Sequence, residues 1–196
     1  MFLLYCFVYF FTILVAVLNV VLGIYLIEYV YCAYVRRQPP LVFSNKKSRQ
    51  IVIEQIKTYY NHAKNICEIG SGTGSFARQI ARNTKSNIDA LENLPCPAFL
   101  SKMLDFLTCS KNKTIWCDAF KYLDCTNKKF DVAVAYLGPD DVYKILKYKH
   151  KIDVFISLDF QIKNVKPTRT IDAGPGYTMF NHKKYPHKLF IYEFRK

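Results

Sequence analysis

NICEIGSGTGSFARQIAR, residues 65–82, passes from a short apolar run through Gly70, Gly72 and Gly74 into an amphipathic pattern carried by Phe76, Ala77, Ile80 and Ala81. That order predicts a strand, a glycine turn and a helix. A chain leaving a strand end must bend sharply and let a ligand approach its bare backbone, and glycine does both at low cost. The helix that follows turns its unpaired N–H groups, the positive end of its dipole, toward the ligand.

Working outward, apolar or alternating runs recur at Asn65–Ile69, Asn87–Leu91, Thr114–Cys117, Phe130–Leu137 and Ile152–Phe160. Helix-like or turn-bearing segments lie between them at Ser75–Asn83, Pro97–Thr108, Ala119–Leu123 and Asp140–Tyr148. Strand alternating with helix predicts an α/β fold, a Rossmann-like and mostly parallel sheet with helices on both faces. Strand-like pieces at Thr168–Asp172, Tyr177–Phe180 and Lys188–Phe194, with no long helix among them, predict an antiparallel C-terminal edge. Before the first strand, Ser44–Lys64 has helical spacing, with Ile51, Ile53, Ile56, Tyr59 and Tyr60 placed to cover one side. This lead-in helix is expected to pack on the sheet.

The first 35 residues are different in kind. From Met1 to Val35 the only charged residue is Glu28. Twenty-seven uncharged residues make a helix of roughly 40 Å, longer than the ~30 Å hydrocarbon core of a bilayer. A cleaved signal peptide has a basic start, a shorter apolar core and a small-residue cleavage site, whereas Tyr25–Tyr34 is bulky. The sequence therefore predicts a transmembrane anchor over residues 1–35, a linker and lead-in helix over 36–64 with Gln38-Pro39-Pro40 as a stiff connector, and the main domain over 65–196. Arg36, Arg37, Lys46, Lys47 and Arg49 follow the span closely, which places the main domain in the cytoplasm, or in the matrix if the host compartment is an organelle.

The whole chain carries 28 Lys and Arg against 15 Asp and Glu, a net charge of +13. Such a surface suits anionic lipid headgroups as well as nucleic acid. Seven cysteines, an odd number without a C-x-x-C pair, argue against a zinc site and a disulfide framework. His62, His150, His182 and His187 are scattered, so no metal set is expected.

In an open parallel sheet the ligand sits outside the carboxyl ends of the strands, so the residues that end each strand are the candidates. A dinucleotide fingerprint wants a third glycine at position 75, which is serine here. Glu68, Gly70, Ser71, Gly72 and Gly74, with glycines at every second position and an acid two residues before the first, instead resemble motif I of the class I S-adenosylmethionine-dependent methyltransferases. Glu92 ends the second strand, where a carboxylate accepts hydrogen bonds from both hydroxyls of a ribose. Asp118 follows the third strand; it resembles the acid beside the adenine amino group in that family, and it is also a good helix cap for Ala119–Leu123. The fourth strand, Phe130–Leu137, carries Tyr136 near its end and is followed by Gly138-Pro139-Asp140-Asp141. The resemblance implies that this strand end faces the methyl group, with Tyr136 lending its ring or hydroxyl and Asp140 or Asp141 attracting a cationic amine, while a strand tyrosine equally suits the core and Pro139-Asp140-Asp141 a helix start.

The order of several looser motifs narrows the resemblance. They are the Pro40–Ser44 segment, Glu92-Asn93 followed by proline, Cys117-Asp118, the Tyr-Leu-x-Pro of residues 136–139 and the closing Leu-Phe-Ile-Tyr-Glu-Phe of 189–194. Together, over residues 38–195, they resemble the single-pass, membrane-anchored protein lysine methyltransferases, whose mitochondrial members modify the adenine nucleotide translocase and the ATP synthase c subunit. That family usually has Asp and Arg where this chain has Thr73 and Ser75, and its proline-rich segment is present only as Pro40-Leu41-Val42-Phe43-Ser44. The resemblance implies S-adenosyl-L-methionine as cofactor, and the bilayer and a protein at or in the membrane as partners. Three rivals stand beside it: methylation of a quinone or lipid, an RNA methyltransferase, and a membrane assembly factor that keeps the fold without catalysis. The RNA reading ranks low, because an anchor restricts access and no basic-aromatic stripe or Asn-Pro-Pro-Tyr motif follows strand four. For the anchor, alkaline carbonate extraction of membranes carrying the full chain is expected to leave it in the pellet; release into the supernatant refutes the span.

Overall fold

The computed structural model describes residues 1–34, 45–177 and 184–195. The connector at Gln38–Pro40, the Pro40–Ser44 segment and most of the expected piece at Tyr177–Phe180 lie outside the described residues. The chain divides into two units, Met1–Leu41 and Val42–Lys196.

The first unit is one helix, α1 (Phe2–Tyr34). Its segment Leu4–Glu28 is long and apolar enough to cross a membrane. Large apolar side chains such as Phe7, Phe10, Leu18 and Ile24 are exposed along it. Two polar side chains within the apolar run bond to their own helix: Thr12 Oγ1 donates to the Val8 carbonyl at 2.9 Å and Asn19 Nδ2 to the Val15 carbonyl at 2.8 Å. Neither therefore needs water, which a hydrocarbon environment does not supply.

The second unit is a seven-stranded sheet in the order β3-β2-β1-β4-β5-β7-β6. Its strands are β1 (Asn65–Ile69), β2 (Asn87–Glu92), β3 (Asn112–Trp116), β4 (Phe130–Ala135), β5 (Ile152–Leu158), β6 (Arg169–Tyr177) and β7 (Lys184–Glu193). The first five run parallel, whereas β7 pairs antiparallel with β5 and β6 antiparallel with β7. The central strands are apolar on both faces, as Val132, Ala133, Val134 and Ala135 show, because helices cover both sides. On one face α2 (Lys46–Tyr59) and α3 (Ser75–Asn83) bury Val52, Ile56, Phe76 and Ile80 against Ile66, Ile88, Val134 and Ile156. On the other, α5 (Ala119–Cys125) and the segment after β4 bury Leu123, Ile145 and Tyr148 against Ile69, Phe130, Ala133 and Phe155. A further helix, α4 (Pro95–Leu107), packs on β3.

The lead-in helix, the parallel core and the antiparallel edge follow the sequence expectation. Two details differ. Asp140–Tyr148 is not one helix: α6 (Pro139–Val142) gives way to a 3₁₀ helix, Tyr143–Tyr148, consistent with its short length. The expected strand pieces at 168–172 and 188–194 belong to two longer strands, with a register shift between Asp172 and Gly174. Phe155 is fully buried in the central sheet and stacks on Tyr192, with ring centroids 6.1 Å apart. Phe155→Ala is expected to cost about 3–5 kcal/mol, read as a lower urea midpoint of the sheet's near-UV signal; an unchanged midpoint refutes this account of the core.

Candidate active site

β1 and β4 are neighbours, yet β2 leaves on one side and β5 on the other, so the strand order reverses between β1 and β4. Every sequence-predicted site residue lies at or beyond the carboxyl end of β1, β2, β3 or β4, the edge where such sheets bind ligands.

The glycine turn leaves β1 with Gly70, Gly72 and Gly74 at φ of 73°, 56° and 68°, all in the left-handed region. A side chain is strained there. At Gly74 it is also excluded by space, since a Cβ would sit 2.0 Å from Ser101 Oγ on α4. The loop is held from three directions. Gly70 and Ser71 both donate to the Leu91 carbonyl at 2.9 and 3.0 Å. The Gly72 N–H donates to Glu92 Oε2 at 2.6 Å, and the Leu94 N–H donates to Glu92 Oε1 at 2.9 Å. Arg78 Nη2 donates to the Thr73 carbonyl at 2.6 Å, while its Nη1 pairs with Asp105 Oδ1 at 2.8 Å. Asp105 Oδ2 in turn accepts from Thr114 Oγ1 and Asn112 Nδ2 on β3. Arg78 and Asp105 thus tie the turn to α4 and to β3, a role with no signature in the sequence.

Glu68 stands on the sheet face covered by α2 and α3. It is buried, and its Oε2 is without a hydrogen-bond partner, as is Ser71 Oγ one turn residue beyond Gly70. Burial pushes the Glu68 carboxyl up to about 8; the Arg49 guanidinium and the Ala77 N–H oppose this, and the Glu92 charge adds to it. An unpaired buried polar atom costs on the order of 1–3 kcal/mol, a cost that a bound polar group would offset.

Arg49, on α2, was not among the expected site residues. Its Nη1 donates to Ser75 Oγ at 2.8 Å, at the first residue of α3, and its guanidinium lies 6.0 Å from the centre of the Phe76 ring. Burial lowers its pKa while the Glu68 charge raises it. Arg49 thus brings a guanidinium from α2 to the start of α3, beside the glycine turn. The sequence offered no periodic or motif signal for this contact between residues 49 and 75.

The remaining candidates are more dispersed. Asp118 is exposed and caps α5, its Oδ1 accepting from the N–H groups of Phe120 and Lys121 at 2.9 and 3.2 Å. Tyr136 is half-buried, its ring centroid 6.3 Å from that of Phe160. Asp140 is exposed in the first turn of α6, and its neighbour Asp141 pairs with Lys144. One pair went unseen in the sequence, where the histidines look scattered. His187 Nδ1 lies 2.5 Å from Asp159 Oδ2, both side chains nearly buried at the carboxyl end of β5. Asp159 has φ of 66°, and its N–H and Oδ1 both bond the backbone of Lys188, so antiparallel pairing of β7 with β5 creates the pair.

No protein-family model matches the sequence, and no curated protein matches it either. Solved structures do. An RNA methyltransferase from Salinibacter ruber in complex with S-adenosyl-L-homocysteine superposes with a TM-score of 0.63 at 16% identity, covering 78% of this chain and 94% of that one. The fold is that of the S-adenosylmethionine-dependent methyltransferases. TehB from Haemophilus influenzae superposes at 0.57 and 9% identity, over 85% of this chain and 66% of its own. A precorrin 8W decarboxylase from Methanobacterium thermoautotrophicum does so at 0.56 and 13% identity, over 80% of this chain and 94% of its own. Neighbours so varied share the architecture and not a substrate.

Glu68 makes a pH prediction. Its folded pKa of about 8 exceeds its ordinary value of 4.5. Between those values the native state holds a proton that the unfolded chain has released, so its contribution to stability falls as pH rises from about 5 to about 8. Glu68→Gln is expected to flatten that part of the pH profile of the full chain in detergent micelles, measured as the urea midpoint. Parallel profiles for the two proteins refute the buried, uncompensated carboxylate.

Proposed function

We propose that the chain is a membrane-anchored methyltransferase that uses S-adenosyl-L-methionine and methylates a protein lysine at or in the bilayer. The observation that carries the cofactor part is the set of buried, unpartnered oxygens of Glu68 and Ser71 at a turn whose Gly72 is clasped by Glu92. These groups fit the cofactor. In this reading Glu68, ionised by the incoming positive charge, receives the ammonium, with Ser71 beside it, and Arg49 and the N-terminus of α3 suit the carboxylate. Glu92, which accepts the Gly72 and Leu94 N–H groups at the end of β2, suits the ribose hydroxyls. Asp118, beyond β3, suits the adenine end. When bound, the cofactor supplies an electrophilic methyl group on a sulfonium.

The rest of the work falls to the chain. Aligning a neutral amine and excluding water matter more here than strong base chemistry. Tyr136, half-buried after β4, lines the acceptor side with its ring and favours the neutral form of an incoming lysine by desolvation. Asp140 attracts the lysine while it is still an ammonium. The positive residues after α1 support an orientation with the second unit on the cytoplasmic or matrix side. The Asp159–His187 pair favours a second reading, in which the acceptor is the hydroxyl of a lipophilic molecule: imidazole held by carboxylate suits removal of a hydroxyl proton.

Calorimetry of the full chain in micelles is expected to show binding of S-adenosyl-L-homocysteine, weakened about tenfold or more in Arg49→Ala. Membranes supplied with methyl-labelled cofactor are expected to yield labelled protein, and methyl-lysine after acid hydrolysis. Label in the lipid extract selects the second reading, and label in RNA overturns both. Absence of cofactor binding removes every catalytic reading and leaves the assembly-factor alternative.

A further inference from the structure

α4 has two unlike faces. Toward the sheet it buries Pro97, Ala98 and Ser101, the last bonding Thr114 of β3 at 2.7 Å, and Asp105 is committed to Arg78. Toward solvent it presents Phe99, Met103, Phe106 and Leu107, at 67%, 43%, 83% and 66% exposure. Their spacing of four, three and one places them on a single stripe. Among the described residues of the second unit, seven large apolar side chains are exposed, and these are four of them. A fifth, Trp116, points to the same side of β3 as Thr114, with its indole N–H 3.2 Å from the Asn93 carbonyl where the chain enters α4.

Between residues 95 and 116 the exposed charge has one sign. Lys102 flanks it on α4, and Lys111 and Lys113 are exposed on the chain that follows. Asp105, the only acid between residues 95 and 116, is paired with Arg78. We infer that this face of α4 docks on the surface of an anionic lipid bilayer, with its apolar stripe at the acyl boundary and its lysines among the headgroups. This rests on the membrane-anchored reading of α1. Aromatic and aliphatic side chains on one helix face, bordered by lysine and free of acid, are the composition that lies in a membrane interface. The tether keeps a bilayer at high effective concentration, so a weak contact suffices. A second copy fits less well. Two such faces would oppose their lysines, and four side chains fall short of the ~800 Å² per partner of a standard interface.

The chain has a single tryptophan, so the reporter can be moved to the middle of the stripe. The full chain carrying Trp116→Phe and Phe106→Trp would be reconstituted into phosphatidylcholine–phosphatidylglycerol vesicles, with or without bromine on the acyl chains near the glycerol. The expected result is that the protein floats with the vesicles and that its fluorescence falls by about twofold or more on the brominated lipid. Quenching should weaken in pure phosphatidylcholine and disappear when Phe99→Ser and Leu107→Ser are added. Protein that floats with its tryptophan unquenched by bromine and open to aqueous iodide overturns the docking alone. Shielding from iodide without bromine quenching also overturns it, in favour of a protein contact. Protein that fails to float overturns the docking together with the anchored reading.

Discussion

The contact between the Gly72 N–H and the Glu92 carboxylate joins the two turns that make the candidate site. Gly72 belongs to the turn after β1 and Glu92 to the end of β2, and the other oxygen of the same carboxylate holds Leu94 at the start of α4. One buried side chain therefore sets how three elements approach. A charge-assisted bond in a dry site is strong, and its loss leaves buried donors unsatisfied. Glu92 thus has a structural duty besides any ligand it receives, and an alanine there would disturb the turn itself.

Around that clasp, electrostatic groups fall into two sets. Arg78 and Asp105 close on each other and on β3, which makes them part of the scaffold. Glu68 and Ser71 keep oxygens that the scaffold does not use. Arg49 stands between the sets, bonded to Ser75 and felt by Glu68. The proposed function gives this rigid turn, with Glu68, Ser71 and Arg49 around it, to the zwitterionic end of the cofactor. The rigid side of α4 serves the same turn, because Ser101 fills the space beside Gly74 while the opposite side of that helix carries the exposed stripe.

The two units have different physical origins. α1 exposes its apolar side chains, and Thr12 and Asn19 within its apolar run bond to their own backbone, which suits a hydrocarbon surrounding. The second unit is stabilised by its own core, with both faces of the central strands covered. In the proposed membrane-anchored reading, the chain's positive charge serves anionic headgroups as much as any ligand.

Sequence alone determined the apolar helix, the alternation of strand and helix, the glycine turn and the acid that ends β2. These are local signals, carried by composition, by periodicity and by the need for glycine at positive φ. It also pointed to the antiparallel edge, although the lengths of β6 and β7 depended on pairing. What only the tertiary structure decided are contacts between residues far apart in the chain. Arg49 meets Ser75 because α2 packs beside α3, and Arg78 meets Asp105 because α4 packs on β3. His187 meets Asp159 because β7 runs antiparallel to β5, which turns two scattered residues into a buried pair. Such encounters leave no periodic trace in a sequence, since each follows from the packing of whole elements and not from the residues on either side.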